Sequence, residues 1–182
     1  MKWAFRLFGL LSLGLSTVVA ASDVKTTQRW QAWPTVGSAQ LDFLFFDVYT
    51  SELKAPHGRY TLSDDVTPHP IALSIHYQRN IAKAHLLKET RKQWLHLGYK
   101  QADFSQWEIK LATIYPEIKK GDRLVYVSNG SSGVFYYYEQ KRNGRMVGKI
   151  EQEAFNDAFV AIWLSPKTEY PDHRAQLIGL NQ

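Results

Sequence analysis

The chain has 182 residues, no cysteine, 45% hydrophobic and 14% aromatic residues, and a formal net charge of +5. Without cysteine there are no disulfides and no thiolate chemistry, so stability must come from packing, and the apolar content excludes a disordered profile. The positive residues are scattered in short clusters, Lys88/Arg91/Lys92, Lys119/Lys120/Arg123 and Lys141/Arg142/Arg145, each with acidic neighbours, which reads as solvated surface and excludes a nucleic-acid face.

The first element is a leader. Lys2 and Arg6 precede an apolar and small-residue run from Leu7 to Ala20, and Val18-Val19-Ala20-Ala21 supplies the small residues a signal peptidase needs. Gly9, Ser12, Gly14, Ser16 and Thr17 dilute the run, which falls short of the about 20 apolar residues of a membrane span. The expected organisation is a signal peptide over residues 1–21, cleaved near Ala20 or Ala21, and a single domain over residues 22–182, periplasmic or secreted and without stable membrane insertion. Loss of Lys2 and Arg6 leaves 20 Lys+Arg against 17 Asp+Glu, a net charge of +3.

In the domain, residues 35–49 read as one strand. Leu41, Phe43, Phe45 and Tyr49 alternate, and Leu44, Phe46 and Val48 fill the other face, as in a strand covered on both sides. Turn signals follow at residues 54–58 and 63–68 and bracket a short strand around Tyr60. Ile71, Leu73, Ile75 and Tyr77 alternate in a second strand over residues 71–79.

The apolar period then changes to that of a helix. Ala84, Leu87, Arg91, Trp94, Leu95 and Gly98 share a face, with Asn80 as its expected cap. Ser105-Gln106-Trp107-Glu108 has the form of a capping box for a second helix that Pro116 ends. A meander follows: a strand over residues 123–128, a turn at Asn129-Gly130-Ser131-Ser132-Gly133, a strand over 134–139, a turn at Asn143-Gly144 and a strand over 146–150. Phe155, Ala158, Phe159, Ile162 and Trp163 form a helical stripe stopped by Ser165-Pro166, and residues 171–180 make a short final helix.

Searches for chemistry mostly end in plainer explanations. The six histidines show no H-x-x-x-H or H-E-x-x-H spacing, and His85 and His96, which share a helix face, lack a third ligand, so neither a metal nor another cofactor is expected. No G-x-S-x-G marks a nucleophile. The glycine-rich segment 129–133 lacks the G-K-[ST] ending of a phosphate loop and reads as a hairpin turn, and Asp64-Asp65 lie in a turn that favours Asp for local hydrogen bonds.

Phe135-Tyr136-Tyr137-Tyr138, close to Tyr126 on the preceding strand, puts rings on both faces of the sheet. Packing against helices on one face accounts for such a stripe. An apolar cavity with phenol hydroxyls in it also does, because a buried Tyr needs a polar partner and a ligand can be one. Arg79 ends an apolar strand where a helix begins, and can pair with a ligand anion or with the protein's own acids. Tyr49, Tyr77, Arg79, Tyr126 and Tyr137 are the candidate ligand-binding residues.

Four segments in this order and spacing resemble the bacterial chalcone isomerase-like proteins, exported relatives of plant chalcone isomerases and of plastid fatty-acid-binding proteins. They are Val36-Gly37-Ser38-Ala39 leading into Phe46-Asp47-Val48-Tyr49; Ala72-Leu73-Ser74-Ile75-His76-Tyr77-Gln78-Arg79-Asn80-Ile81; Gly121-Asp122-Arg123-Leu124; and Gly148-Lys149-Ile150 followed by Phe155, Phe159 and Ile162-Trp163-Leu164. The resemblance runs from Trp33 over nearly the whole domain. It implies an α+β fold, an antiparallel sheet covered on one side by helices, with a ligand cleft between the layers.

In the catalytic relatives an Arg on the first long strand holds the substrate's anionic oxygen while hydroxyls polarise the ketone; in the fatty-acid-binding relatives the corresponding Arg engages the carboxylate. Here the interval Gly37 to Asp47 contains no basic residue, and Tyr49 stands where the enzymes place a threonine. No catalytic residue is carried over. Two functions follow from this reading: a non-catalytic exported protein that binds a small apolar or amphipathic ligand, fatty-acid-like or phenolic, or a protein partner; and an isomerase, an intramolecular lyase acting on an unsaturated carbonyl compound, with Arg79 as the displaced cation and Tyr49, Tyr77 or Tyr126 as donors.

Overall fold

The computed structural model describes residues 30–43, 46–140 and 142–180. The expected leader lies outside these residues, as do Leu44, Phe45 and Lys141. Among the described residues, no helix is long and apolar enough to cross a membrane.

Six strands form one antiparallel meander: β1 (Thr35–Phe43), β2 (Phe46–Lys54), β3 (Ile71–Tyr77), β4 (Arg123–Ser128), β5 (Gly133–Tyr138) and β6 (Arg145–Ile150), paired in that order. Four helices follow their connections: α1 (Lys83–His96), α2 (Gln101–Ile114), α3 (Glu153–Leu164) and α4 (Pro171–Leu177). They pack on one face of the sheet, so the architecture is α+β with an antiparallel sheet covered on one side by helices.

The single strand expected over residues 35–49 is instead a hairpin. β1 turns back so that Phe43 pairs with Phe46, Leu41 with Tyr49 and Gly37 with Leu53. The segment from Phe43 to Phe46 contains no Gly, Pro, Asn or Asp, so nothing in its chemistry announces a reversal. The inner face of β2 reads Tyr49, Ser51, Leu53, and the buried Ser51 interrupts the apolar alternation that would have marked a strand. Residues 55–70 carry no strand; Tyr60 is held there by donating its hydroxyl to the Val66 carbonyl at 2.8 Å.

Two helix starts also differ from expectation. Asn80 does not cap α1, because its side-chain oxygen accepts the Lys120 amide at 2.8 Å; Glu117 takes the first-turn Lys83 amide at 3.1 Å instead. α2 begins at Gln101, a turn before Ser105, and the Asp103 carboxylate accepts the Lys100 amide at 2.9 Å. Glu108 is thereby free to pair with Arg91 of α1.

The core lies between the helices and the inner face of the sheet, where Leu53, Leu73, Tyr126 and Phe135 are buried. Trp94 of α1, fully buried, anchors the helix layer: it packs on Phe104, Trp107 and Phe155 and donates its indole N–H to the Ala158 carbonyl at 2.8 Å. The outer face carries a smaller cluster of Ala72, Val125 and Val127 under Trp30 and Trp33. Coverage of the sheet on both faces therefore falls on β3 and β4.

Gly37 fixes how α4 meets the sheet. A Cβ there would lie 2.2 Å from the Gln176 carbonyl oxygen and 2.7 Å from that of Leu177, so the end of α4 rests directly on the backbone of β1.

Candidate functional site

Trp94 holds one end of α1 tightly, but further toward its start the helix turns Leu86, Thr90 and Gln93 to the sheet. These side chains do not reach the inner face of β2 to β5, and a cavity of about 490 Å³ remains between the layers. Its floor is Leu73, Ile75, Leu124 and Phe135 of the sheet; Phe159 and Ile162 of α3 and His173 of α4 form its far wall. This volume falls in the range of small-molecule sites, about 300–1,000 Å³.

Polar groups in the wall are few, and each has a definable state. The Tyr49 hydroxyl accepts the Trp163 indole N–H at 3.0 Å, and its ring meets those of Tyr77 and His173 edge to face at 6.1 and 5.9 Å. Thr90 donates to the Leu86 carbonyl at 2.8 Å, so the Tyr115 hydroxyl, 3.0 Å from Thr90 Oγ1, is the donor in that pair. Tyr77 is buried, and its hydroxyl makes no hydrogen bond with the described residues. Burial raises all three phenols above the ordinary tyrosine value, so each stays a neutral donor.

Two further polar side chains of the wall are Gln93 and His173. The Gln93 amide nitrogen donates to Glu169 at 2.5 Å, which fixes the amide orientation, because the reverse placement would set an oxygen against a carboxylate. Gln93 Oε1 is consequently buried without a hydrogen-bond donor. His173 Nδ1 faces the Gln40 carbonyl at 3.3 Å and so carries the proton, leaving Nε2 to accept from Ser51 at 2.7 Å. Burial lowers its pKa, favouring the neutral ring.

Charge is confined to the mouth. Arg79, Lys88, Glu89 and Lys92 are the charged residues of the lining, and all four are exposed. Lys92 is bridged to Glu169 at 3.0 Å. The cavity therefore has an apolar interior, neutral hydrogen-bonding groups within it, and a mouth where cations outnumber acids in the lining.

Of the residues singled out from the sequence, Tyr49, Tyr77, Arg79 and Tyr126 line this one cavity. Arg79 stands at its mouth, apart from the buried phenols. Tyr126 contributes a ring wall, while its hydroxyl donates to Asn156 at 2.7 Å within a buried network that also holds Ser128 and Thr67. Tyr137 is not in the lining: its hydroxyl is taken by the Asp122 carboxylate and the Glu117 carbonyl. Thr90, Gln93, Tyr115 and His173 are wall residues the sequence did not single out. Among the described residues, no group of three or more His, Cys, Asp or Glu side chains is placed to hold a metal ion.

Comparison with known proteins agrees with this architecture. A family model described as chalcone isomerase-like matches residues 37–179. A protein of Haemophilus influenzae described as uncharacterized is 25% identical over 147 residues, covering 81% of this chain and 68% of that one.

Proposed function

The chain belongs to the chalcone isomerase-like family, and from that premise we propose that it is an exported, non-catalytic protein that carries a small apolar or amphipathic ligand between its sheet and its helices. The observation that supports this most is the cavity of about 490 Å³. A sheet and helix layer meeting over Phe, Trp and Leu would ordinarily close to crystal-like density. Here the space is kept open under Thr90 and Gln93, whose short or polar side chains replace the apolar ones that would fill it.

Catalysis of the chalcone type needs a cation beside the reacting oxygen, where negative charge builds. The interval Gly37 to Asp47 has no basic residue, and Arg79 is exposed at the mouth. An exposed cation in the lining suits attraction of an anionic ligand end better than stabilisation of charge inside. Export rests on the order of Lys2, Arg6 and the apolar run to Ala20, and intact mass of the purified protein would test it by reporting a chain that starts near Ala21 or Ser22.

One feature favours a second reading, an intramolecular lyase acting on an unsaturated carbonyl. Tyr77 offers an unused hydroxyl beside Tyr49 and Tyr115, a donor set that could polarise a ketone. Loss of enone absorbance on mixing with a hydroxylated chalcone, abolished in Tyr77→Phe, would establish it and displace the binding role. The binding role itself is tested by native mass spectrometry of protein purified from the compartment to which it is exported. A reproducible extra mass that leaves on denaturation is expected; bare protein, still bare after incubation with fatty acids and phenolic enones, would refute it.

A further inference from the structure

We infer that Asn143 is a site of spontaneous covalent modification, its side-chain amide converting to a carboxylate through a succinimide formed with Gly144, while the fold protects Asn129 from the same reaction. Both asparagines are followed by glycine, and both lie in turns of the meander, Asn129-Gly130 between β4 and β5 and Asn143-Gly144 between β5 and β6. The reaction needs two groups of the chain: the backbone nitrogen of the following residue, which attacks the asparagine Cγ, and a carboxamide able to swing onto it. Glycine hinders that approach least, because it has no Cβ.

The two turns treat these groups oppositely. The Gly130 N–H donates to Ser128 Oγ at 3.0 Å, and Asn129 Oδ1 accepts the amides of Ser131 at 3.0 Å and Ser132 at 2.9 Å. Nucleophile and carboxamide are both tied. Gly130 is fixed further through its carbonyl, which accepts from Thr67 at 2.7 Å and from the buried Asn156 at 3.1 Å. Asn143 and Gly144 are exposed, and neither the Asn143 side chain nor the Gly144 amide makes a hydrogen bond with the described residues. A Cβ at Gly144 would lie 2.3 Å from Cε1 and Cζ of Tyr138, a ring that also carries the Arg123 guanidinium at 4.1 Å. The packing of Tyr138 therefore requires the very glycine that leaves Asn143 reactive.

Water and hydroxide are the only co-reactants. The Gly144 nitrogen, deprotonated by hydroxide, bonds to Asn143 Cγ; the Cγ–Nδ2 bond breaks and the nitrogen leaves as ammonia. The cyclic imide then takes up water at either carbonyl and opens to aspartate or to isoaspartate, in which the main chain runs through the side-chain carbon. Either product replaces a neutral amide by a carboxylate and lowers the formal net charge of +5 by one unit. The new charge arises between Arg142, bridged to Glu139 at 3.0 Å, and Arg145, whose guanidinium lies 5.3 Å from the Tyr137 ring centre. Isoaspartate also adds a methylene to the backbone just before the Tyr137–Arg145 pair of β5 and β6.

The test follows both turns in one sample. The purified protein is incubated at pH 8.5, folded or in guanidinium chloride, and at intervals is cut after glutamate, which places Asn129 in residues 118–139 and Asn143 in residues 140–151. Peptide mass spectrometry is expected to show the amide-to-acid mass change in 140–151 of the folded protein at least tenfold faster than in 118–139. In denaturant both peptides should convert at similar rates, because the bonds that hold Asn129 and Gly130 are gone. Asn143→Gln, whose longer side chain must close a larger ring, should abolish the change in 140–151 of the folded protein. Asn143 remaining an amide in the folded protein, Asn129 converting there as fast as Asn143, or Asn129 staying an amide in denaturant as well, each overturns the inference.

Discussion

Replacing Gly37 with alanine tests how α4 closes the cavity. The added methyl would lie 2.2 Å from the Gln176 oxygen, 2.7 Å from the Leu177 oxygen and 3.0 Å from the Leu177 carbonyl carbon. These are backbone atoms, so no rotamer change relieves the clash. Carbon contacts relax near 3.5 Å or beyond, and the end of α4 must retreat by about 1 Å. Overpacking of this kind costs about 1–3 kcal/mol. The opposing gain, from a less flexible unfolded chain, is about 0.4–1 kcal/mol, so the net effect is destabilising. At about 2–4 °C per kcal/mol for a domain of this size, Gly37→Ala should melt about 5 °C below the parent.

The same retreat draws His173 away from Ser51 and Gln40, to which it is held at 2.7 and 3.3 Å. Affinity for dodecanoic acid should therefore fall several-fold in the same variant. Circular-dichroism melting and titration of the folded protein at 20 °C read the two effects separately. Ser38→Ala, at the exposed neighbouring position, is the control and should change neither. A Gly37→Ala protein that melts within 1 °C of the parent and binds as well would refute this account of α4.

Removing Trp94, which is fully buried among three aromatic rings, should cost about 3–5 kcal/mol in Trp94→Ala, measured as a lower urea midpoint. His173 has a folded-state pKa below its ordinary 6.5 because burial disfavours the charged ring. Protons then bind preferentially to the unfolded chain, so stability present above pH 6.5 is lost as pH falls toward the folded-state value. Urea midpoints between pH 8 and 5 should show this loss, and His173→Gln should flatten it. Alkaline difference spectra should leave the phenols of Tyr49 and Tyr115 protonated at pH 11 in the folded state, with Tyr60 pushed up to about 12, and release them all on unfolding. Tyr126→Phe, which removes the bond to Asn156, should cost about 0.5–1.5 kcal/mol of stability, read as a lower urea midpoint.

From Ile71 onward the chain declares itself where local chemistry and tertiary packing agree. Period-two alternation in Ile71–Tyr77, turn residues at Asn129-Gly130 and Asn143-Gly144, and the stripe from Phe155 to Trp163 each mark an element found in the structure. The β1–β2 hairpin stays hidden because residues 43–46 are apolar and Ser51 faces inward for a partner more than a hundred positions away, His173. The same reason conceals much of the site. Thr90 and Gln93 read as the polar side of an amphipathic helix, yet they are buried and line the cavity. Tyr49, Tyr77 and Tyr126 could be singled out by type, but only the register of β2 to β4 brings them together, and the same register leaves Tyr137 with Asp122. Local pattern shows which residues are apolar; an unfilled space between two layers has no sequence signature.

The central claim is that this space is occupied, and filling it from within tests that most directly. Ile75 is buried in the cavity floor, and Ile75→Trp would extend a ring into the volume. Parent and variant, purified in parallel from the same compartment and matched in circular dichroism, are compared by native mass spectrometry. The account predicts a ligand mass on the parent that is absent from the folded variant. The same mass retained on folded Ile75→Trp, or no mass on either after incubation with fatty acids and phenolic enones, would contradict it.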